Sequence, residues 1–275
     1  LLLVGMGMGR LEGMTQEALD AATKADHRRY EAYTALWPEA ELARLESVIG
    51  SVQRVMRPEV EEPDELFALA KQSLVALLVV GDPLQATTHV DLQLRAQEMD
   101  VECRVFHGIS ITSVVTGAGG LSNYKFERQT TLAYPYGEWI ATSPLEVLAS
   151  NWEQNLHTLA LLDLDPTGLG TGDQRPMRPE DAVESMRLMW KKLQETVDEP
   201  LSEDHVRLAF RQMATKLYLQ QNFDDIPVVL CADMGTPDQS IVTTTLGSLA
   251  AEPGGPLTSL FFPARTGAVS EQALL

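Results

Sequence analysis

The stretch 74-LVALLVVGDPLQATTHVDL-92 joins an unbroken apolar run to Gly81-Asp82-Pro83 and then to a polar segment that resembles a helix start. An apolar run of this length before a turn is typical of a strand buried on both faces of a parallel sheet. Gly81 permits a sharp turn and Pro83 fixes its own φ, so Asp82 is held in a set direction. The stretch therefore predicts a buried strand, a tight turn that presents a carboxylate, and a helix over residues 84–98.

The composition is that of a folded globular protein with an acidic surface. Hydrophobic residues make up 44% of the 275 residues and charged residues 22%, close to the ordinary mix. Lys and Arg number 21 against 39 Asp and Glu, a net charge of −18, so the surface as a whole repels nucleic acid. A local basic patch and a salt-rich source both stay open. The length favours two domains.

The sequence gives no indication of a membrane segment, a disulfide framework or a metal site. The longest apolar run, 74–80, is far shorter than the roughly 20 residues that span a bilayer, and residues 1–4 lack the features of a signal peptide. Cys103 and Cys231 are not in C-x-x-C spacing, and no two histidines are spaced as a metal pair. We therefore expect a cytoplasmic protein with neither nucleic acid nor membrane as a partner.

Strand-like and helix-like segments alternate through the first half of the chain. The predicted strands are residues 1–4, 26–34, 52–57, 74–80 and 101–106. The predicted helices are residues 15–25, 38–49, 64–72 and 84–98. In the second helix we place Leu42, Leu45, Val48 and Ile49 on one face, with Gly50 ending it. This alternation predicts an α/β domain with a parallel sheet over residues 1–112.

A glycine-rich segment, 116-TGAGGLSNYKF-126, marks a change of character. Beyond it, strands are predicted at residues 129–134, 157–164, 226–232, 240–246 and 257–262. Helices are predicted at residues 144–155, 179–197 and 203–221. We therefore predict a second α/β domain over residues 113–275.

Three glycine-bearing turns follow apolar strands: 5-GMGMG-9, 81-GDP-83 and 107-HGIS-110. Ligands of open α/β sheets bind beyond the carboxyl ends of the strands, so these turns are expected to share one pocket. The first turn lacks the G-x-G-x-x-G spacing of a dinucleotide site, and a purely structural turn is the leading alternative there.

Asp82 has two interpretations that spacing alone leaves evenly balanced. A carboxylate at a strand end suits a ribose hydroxyl pair or an amine and repels phosphate; it is equally suited to cap the helix predicted at 84–98. Thr87, Thr88 and His89 would lie on the first turns of that helix and reach the pocket, although a lone histidine is more often structural.

Two other histidines and a serine receive structural interpretations. His107 and His157 have no second ligand at metal spacing, so a structural role is favoured for both. Ser110 suits a helix N-cap, and no G-x-S-x-G elbow surrounds it, which argues against a serine hydrolase.

Several segments, in this order, resemble the diphthine synthase family within the tetrapyrrole-methylase-like superfamily. They are 3-LVGMGMG-9, 31-EAYT-34, 79-VVGDPLQATTHVDL-92, 106-FHGISI-111, 124-YKF-126 and 156-LHTLALLDL-164. The resemblance implies two α/β domains with S-adenosylmethionine in the cleft between them, in a homodimer. It also implies a protein substrate, translation elongation factor 2, whose 3-amino-3-carboxypropyl-histidine is successively N-methylated to diphthine.

The same resemblance carries the family's cofactor contacts to eight positions. They are Met8, Asp82, Gln85, Ser110, Ile111, Leu162, Met234 and Thr258. No catalytic residue is implied.

The chain departs from the family pattern at 10-RLEGM-14, at Thr258, where histidine is common, over residues 200–225 and in the C-terminal segment 265-RTGAVSEQALL-275. Two alternatives therefore stay open: a non-catalytic cofactor-binding module of the same fold, and a methylase of tetrapyrroles or corrinoids.

Overall fold

The computed structural model describes residues 1–169, 174–198, 200–202 and 205–264; the C-terminal departure at 265–275 lies outside them. The described chain forms two compact units. The first contains residues 1–114 and 234–237 with the described residues of 169–174. The second contains residues 115–168, 175–233 and 238–264.

The first unit is built on a parallel sheet of five strands, which confirms the predicted α/β class. The strands are β1 (Leu2–Gly5), β2 (His27–Glu31), β3 (Gln53–Val55), β4 (Val75–Val79) and β5 (Arg104–Phe106), in the order β3-β2-β4-β1-β5. The central pair β4 and β1 is aligned with Ala76 opposite Leu2 and Val79 opposite Gly5. All five residues of β4 are buried, as its unbroken apolar run requires.

Helices cover both faces of this sheet. They are α1 (Gln16–Lys24), α2 (Glu39–Ile49), α3 (Arg57–Glu61), α4 (Asp64–Ala70) and α5 (His89–Glu98). A sixth helix, α6 (Ile111–Ala118), follows β5. Apolar residues of α1 and α2 pack on the face that carries Val4 and Leu78. Those of α3, α4 and α5 pack on the opposite face, with Leu3 and Leu77. The sheet is therefore wound on both sides.

Several local predictions in this unit were wrong. The helix predicted from residue 84 begins only at His89, because Ala86 adopts a left-handed φ of 55° that interrupts helical geometry. Val48 is 50% exposed, since Leu42, Leu45 and Ile49 already form the buried stripe of α2. The start of α6 at Ser110 was predicted, but its extent was not, because its C-terminal end runs into the glycine-rich segment. Helix α3 was missed, and its first residue, Arg57, was assigned to the preceding strand.

The second unit contains a mixed sheet of five strands in the order β6-β7-β10-β8-β9. The strands are β6 (Thr130–Leu132), β7 (Thr158–Leu162), β8 (Pro227–Ala232), β9 (Ser240–Thr245) and β10 (Thr258–Phe262). Only the β6–β7 pair is parallel. All five strands lie within the predicted segments.

Four helices belong to this second unit: α7 (Ser143–Glu153), α8 (Pro179–Thr196), α9 (Val206–Tyr218) and α10 (Leu246–Leu249). Their apolar residues pack with Leu230 and Leu260 of the sheet into one core. At its centre, Trp190 lies 5.9 Å from Tyr218 and 5.3 Å from Phe223, measured between ring centroids.

Candidate functional site

Three strand-end turns come together at the carboxyl edge of the first sheet. A β-carbon built on Gly108 would lie 2.2 Å from the carbonyl oxygen of Gly81 and 3.0 Å from the α-carbon of Gly5. These distances leave no space for a side chain, so glycine is required for the backbones to approach this closely. The three turns that the sequence analysis assigned to one pocket are thus neighbours.

These turns surround the point where the winding of the sheet reverses. After β1 the chain forms β2, which lies on the far side of β4. After β4 it forms β5, which lies on the far side of β1. The two connections therefore leave neighbouring strands in opposite directions, with α1 and α5 on opposite faces. Gly7 and Gly81 close the edge with reciprocal backbone hydrogen bonds of 3.2 and 2.9 Å. In open α/β sheets the ligand crevice lies at such a switch point.

Asp82 sits at this switch point with its carboxylate fixed from several sides. Its Oδ1 accepts a hydrogen bond from the Leu84 N–H at 2.9 Å. Its Oδ2 accepts one from the Gly108 N–H at 3.3 Å and lies 2.7 Å from His107 Nδ1. Since α5 begins at His89, seven residues later, the interpretation of Asp82 as a helix cap is wrong. The carboxylate instead closes its own turn and links the end of β4 to the end of β5.

Gln85, Ser110 and Ile111 lie around the same turn. The exposed Gln85 donates its backbone N–H to the Asp82 carbonyl at 3.2 Å. Ser110 immediately precedes α6, and its hydroxyl accepts the N–H of Thr112 at 3.3 Å, which confirms the predicted N-cap. A β-carbon on Gly81 would lie 3.8 Å from the Ser110 hydroxyl oxygen, so Ser110 borders the turn that holds Asp82.

Met8 and Met234 are distant in sequence but belong to the same unit. Residues 234–237 cluster with the first unit, although they follow β8 of the second. A β-carbon on Gly235 would lie 2.9 Å from the Met8 β-carbon. The first glycine turn and Gly235 are therefore in contact, and the buried Met234 immediately precedes Gly235.

Leu162 and Thr258 are neighbours in the second unit. Ser259 of β10 pairs with Leu161 of β7 in antiparallel register, so Leu162 is level with Thr258. The Thr258 hydroxyl donates to the Gly255 carbonyl at 2.7 Å. Both residues lie at one end of the second sheet.

The histidines differ in what surrounds them. His89 is buried, with Nδ1 3.1 Å from the Pro83 carbonyl oxygen, and burial lowers its pKa. His157 is also buried and accepts the Ala264 N–H at Nδ1, at 3.0 Å; burial lowers its pKa to about 4, with a smaller contribution from Lys125. Both keep a structural interpretation. The Asp82–His107 contact was not predicted, and only the strand order reveals it.

A buried glutamate was also missed by the sequence analysis as a candidate site residue. Glu31 ends β2 and is 0% exposed. The Thr34 hydroxyl donates to its Oε2 at 2.7 Å, whereas the buried Oε1 has no hydrogen-bond partner. Burial raises the pKa of the Glu31 carboxyl to about 7, opposed by the Thr34 hydrogen bonds and by Arg57. The sequence signal was a single acidic residue, Glu31, between the aromatic residues of 30-YEAYT-34.

A metal-binding cluster and a membrane-spanning helix are both absent from the described residues. Among residues 1–169, 174–198, 200–202 and 205–264, no three His, Cys, Asp or Glu side chains are grouped so as to hold a metal ion. In that same part of the chain, no helix has the length and apolar character needed to cross a bilayer.

The fold and this strand-end site define a methylase: the family model described as Tetrapyrrole (Corrin/Porphyrin) Methylases matches residues 1–250. Diphthine synthase of Methanocorpusculum labreanum is 34% identical over 186 residues, covering 67% of this chain and 72% of that protein. Diphthine synthase of Halorubrum lacusprofundi is 30% identical over 281 residues, covering 100% and 95%. A crystal structure of diphthine synthase aligns with a TM-score of 0.77 and 26% identity, covering 99% and 93%.

Within the tetrapyrrole methylases, the chain therefore belongs to the diphthine synthase family, and it is an S-adenosylmethionine-dependent methyltransferase of diphthamide biosynthesis.

Proposed function

We propose that this enzyme successively N-methylates the 3-amino-3-carboxypropyl-histidine of translation elongation factor 2 to give diphthine. The similarity to diphthine synthases over the whole chain supports this substrate. We further propose a cytoplasmic homodimer: the family resemblance supports the dimer, and the two cysteines, both free, fit a reducing compartment.

The observation that carries the proposal is the carboxylate of Asp82 fixed at the switch point. We propose that Met8, Asp82, Gln85, Ser110, Ile111 and Met234 of the first unit contact the cofactor. The resemblance adds Leu162 and Thr258 of the second unit. The residues fit an adenosyl ligand, because a buried carboxylate and a hydroxyl suit ribose or amine groups, and none of the eight is a Lys or Arg that would hold phosphate.

The residues of this chain bind and orient the cofactor and the substrate. When bound, S-adenosylmethionine supplies an electrophilic methyl group. Asp82 is already oriented by the N–H groups of Leu84 and Gly108, so little rearrangement is needed for it to accept hydrogen bonds from a ligand. An ammonium has no lone pair, so the amine of the substrate must lose a proton before each of the first two methylations.

Calorimetric titration with S-adenosylmethionine tests the placement of the cofactor. Asp82→Asn keeps an oxygen that can accept the Leu84 N–H but removes the charge, and we expect binding about 10-fold or more weaker, in line with the loss of a charge-assisted hydrogen bond. Asp91→Ala is the matched control, since Asp91 is exposed on α5. Unchanged affinity in Asp82→Asn would refute this role.

Transfer of labelled methyl groups tests the substrate. Label on elongation factor 2 that carries the modified histidine is the expected result. Label on a corrinoid instead would support the tetrapyrrole-methylase alternative, and cofactor binding without any transfer would support a non-catalytic module.

A further inference from the structure

Glu31 combines complete burial with an unmet hydrogen-bonding capacity. Its Oε2 is anchored by the Thr34 hydroxyl at 2.7 Å, while its Oε1 has no partner among the described residues. The hydroxyl of Tyr33, two residues later, is likewise buried and without a hydrogen-bond partner in that part of the chain. A buried polar atom without a partner costs about 1–3 kcal/mol, and a polar ligand that met both atoms would remove that cost.

The position of Glu31 relates it to the proposed cofactor site. Glu31 is the last residue of β2, and β2 lies next to β4 in parallel register, with Tyr30 opposite Leu78. Glu31 is therefore level with Val79, three residues before Asp82. Because Glu31 ends β2 and Asp82 follows the end of β4, both residues lie at the carboxyl edge of the parallel sheet.

A cavity of about 440 Å³ lies on the same face of the sheet, beside the layer of side chains that contains Glu31. It is lined by Val55, which pairs with Glu31 across β2 and β3, and by Arg29, two residues before Glu31. Its lining also contains Glu59, Glu62 and apolar side chains of α3 and α4. The acidic side chains of this lining suit the ammonium group of a slender arm, and Arg29 suits the carboxylate on the same carbon.

None of the charged groups around Glu31 in the described chain forms a hydrogen bond to its Oε1, so this oxygen can bind an external cation. Arg57 lies 3.8 Å from Glu61 and stacks over the Tyr33 ring, 5.4 Å from its centroid. It therefore interacts with those two groups, and it makes no hydrogen bond to Glu31 in the described chain. Glu61 adds a second negative charge, which favours protonation of Glu31. The strand β4 beside it contributes only Val, Ala and Leu side chains.

We propose that Glu31 binds the ammonium group of the substrate's aminocarboxypropyl arm and accepts its proton. This inference rests on the proposed function. In the step, an N–H bond breaks, the proton passes to Oε1, and the electron pair stays on nitrogen, which becomes the nucleophile. A general base acts best when its pKa lies near the working pH, and burial brings the pKa of Glu31 to about 7. Tyr33 would donate its hydroxyl to the carboxylate of the arm.

The test compares wild type with Glu31→Gln, Glu31→Asp and, as control, Glu17→Gln, an exposed glutamate on α1. Calorimetry uses a synthetic peptide that carries 3-amino-3-carboxypropyl-histidine. We expect the Gln variant to bind the peptide at least 10-fold more weakly while its affinity for S-adenosylmethionine is unchanged. If wild type and Glu31→Gln bind the peptide with equal affinity, or if neither binds it, the assignment is overturned.

The pH profile of methyl transfer gives a second readout. We expect the kcat/KM of wild type to rise with pH around pH 7. The Gln variant should lose this rise, and its rate should be about 100-fold lower, within the range for general bases. The Asp variant should regain part of both. An unchanged rise in Glu31→Gln would overturn the proton-acceptor role. Absence of transfer by wild type itself would refute the proposed function, whereas the peptide calorimetry judges Glu31 separately.

Discussion

Replacing Glu31 by Gln will change how the stability of the protein depends on pH. The pKa of this carboxyl is raised to about 7 from an ordinary value of 4.5, chiefly by burial. The folded state therefore holds a proton between pH 4.5 and 7 that the unfolded state has released, and the stability that protonated Glu31 contributes is lost as the pH rises through 7. The difference corresponds to about 3 kcal/mol.

The Gln variant has no such proton to lose. Relative to wild type, its stability should therefore increase by about 3 kcal/mol between pH 4.5 and pH 8, seen as a larger free energy of unfolding. Urea denaturation at pH 4.5, 6, 7 and 8, followed by fluorescence and circular dichroism, measures this difference. Glu17→Gln is the control and should show a flat difference. A flat difference for Glu31→Gln as well would refute the claim that burial has raised this pKa.

Three further changes have defined outcomes. Gly108→Ala places a β-carbon 2.2 Å from the Gly81 carbonyl oxygen, so we expect a loss of about 1–3 kcal/mol in urea denaturation together with weaker cofactor binding; stability equal to wild type would contradict the close packing of the turns. Leu77→Ala in β4, at a fully buried position, should cost about 2–5 kcal/mol, whereas Leu94→Ala, 56% exposed on α5, should stay within about 0.5 kcal/mol. Because burial lowers the pKa of His157 to about 4, the unfolded state binds a proton first as the pH falls from 6.5 to 4, and wild type should lose stability there; His157→Gln should reduce that loss, and an identical slope would argue against a neutral buried imidazole.

Much of the first unit follows from sequence because its strands carry local signals. The run 74-LVALLVV-80 is apolar throughout, as a strand covered on both faces must be. Gly50, with φ of 92°, ends α2 as predicted. The start of α5 could not be predicted in this way, because nothing in Gln85-Ala86-Thr87 indicates that Ala86 adopts a left-handed conformation. Local propensity treats alanine as a helix former.

Only those parts of the site that are formed by residues close together in sequence were predictable. The direction of Asp82 follows from Gly81 and Pro83, but its contact with His107 depends on β5 lying beside β1. The contact between Gly235 and Met8 joins residues more than two hundred positions apart. For Glu31, the aromatic neighbours in 30-YEAYT-34 indicated a strand, while burial of the acid is a property of the assembled sheet.

The central claim is that this chain methylates an amine with the cofactor held at the Asp82 turn. The most direct test is transfer of label from S-adenosylmethionine to elongation factor 2 that carries 3-amino-3-carboxypropyl-histidine, with wild type and Asp82→Asn compared at several cofactor concentrations. We predict label on the modified histidine, and a higher cofactor concentration for half-maximal rate in the variant. No label on the factor, or the same concentration dependence in both proteins, would contradict the account.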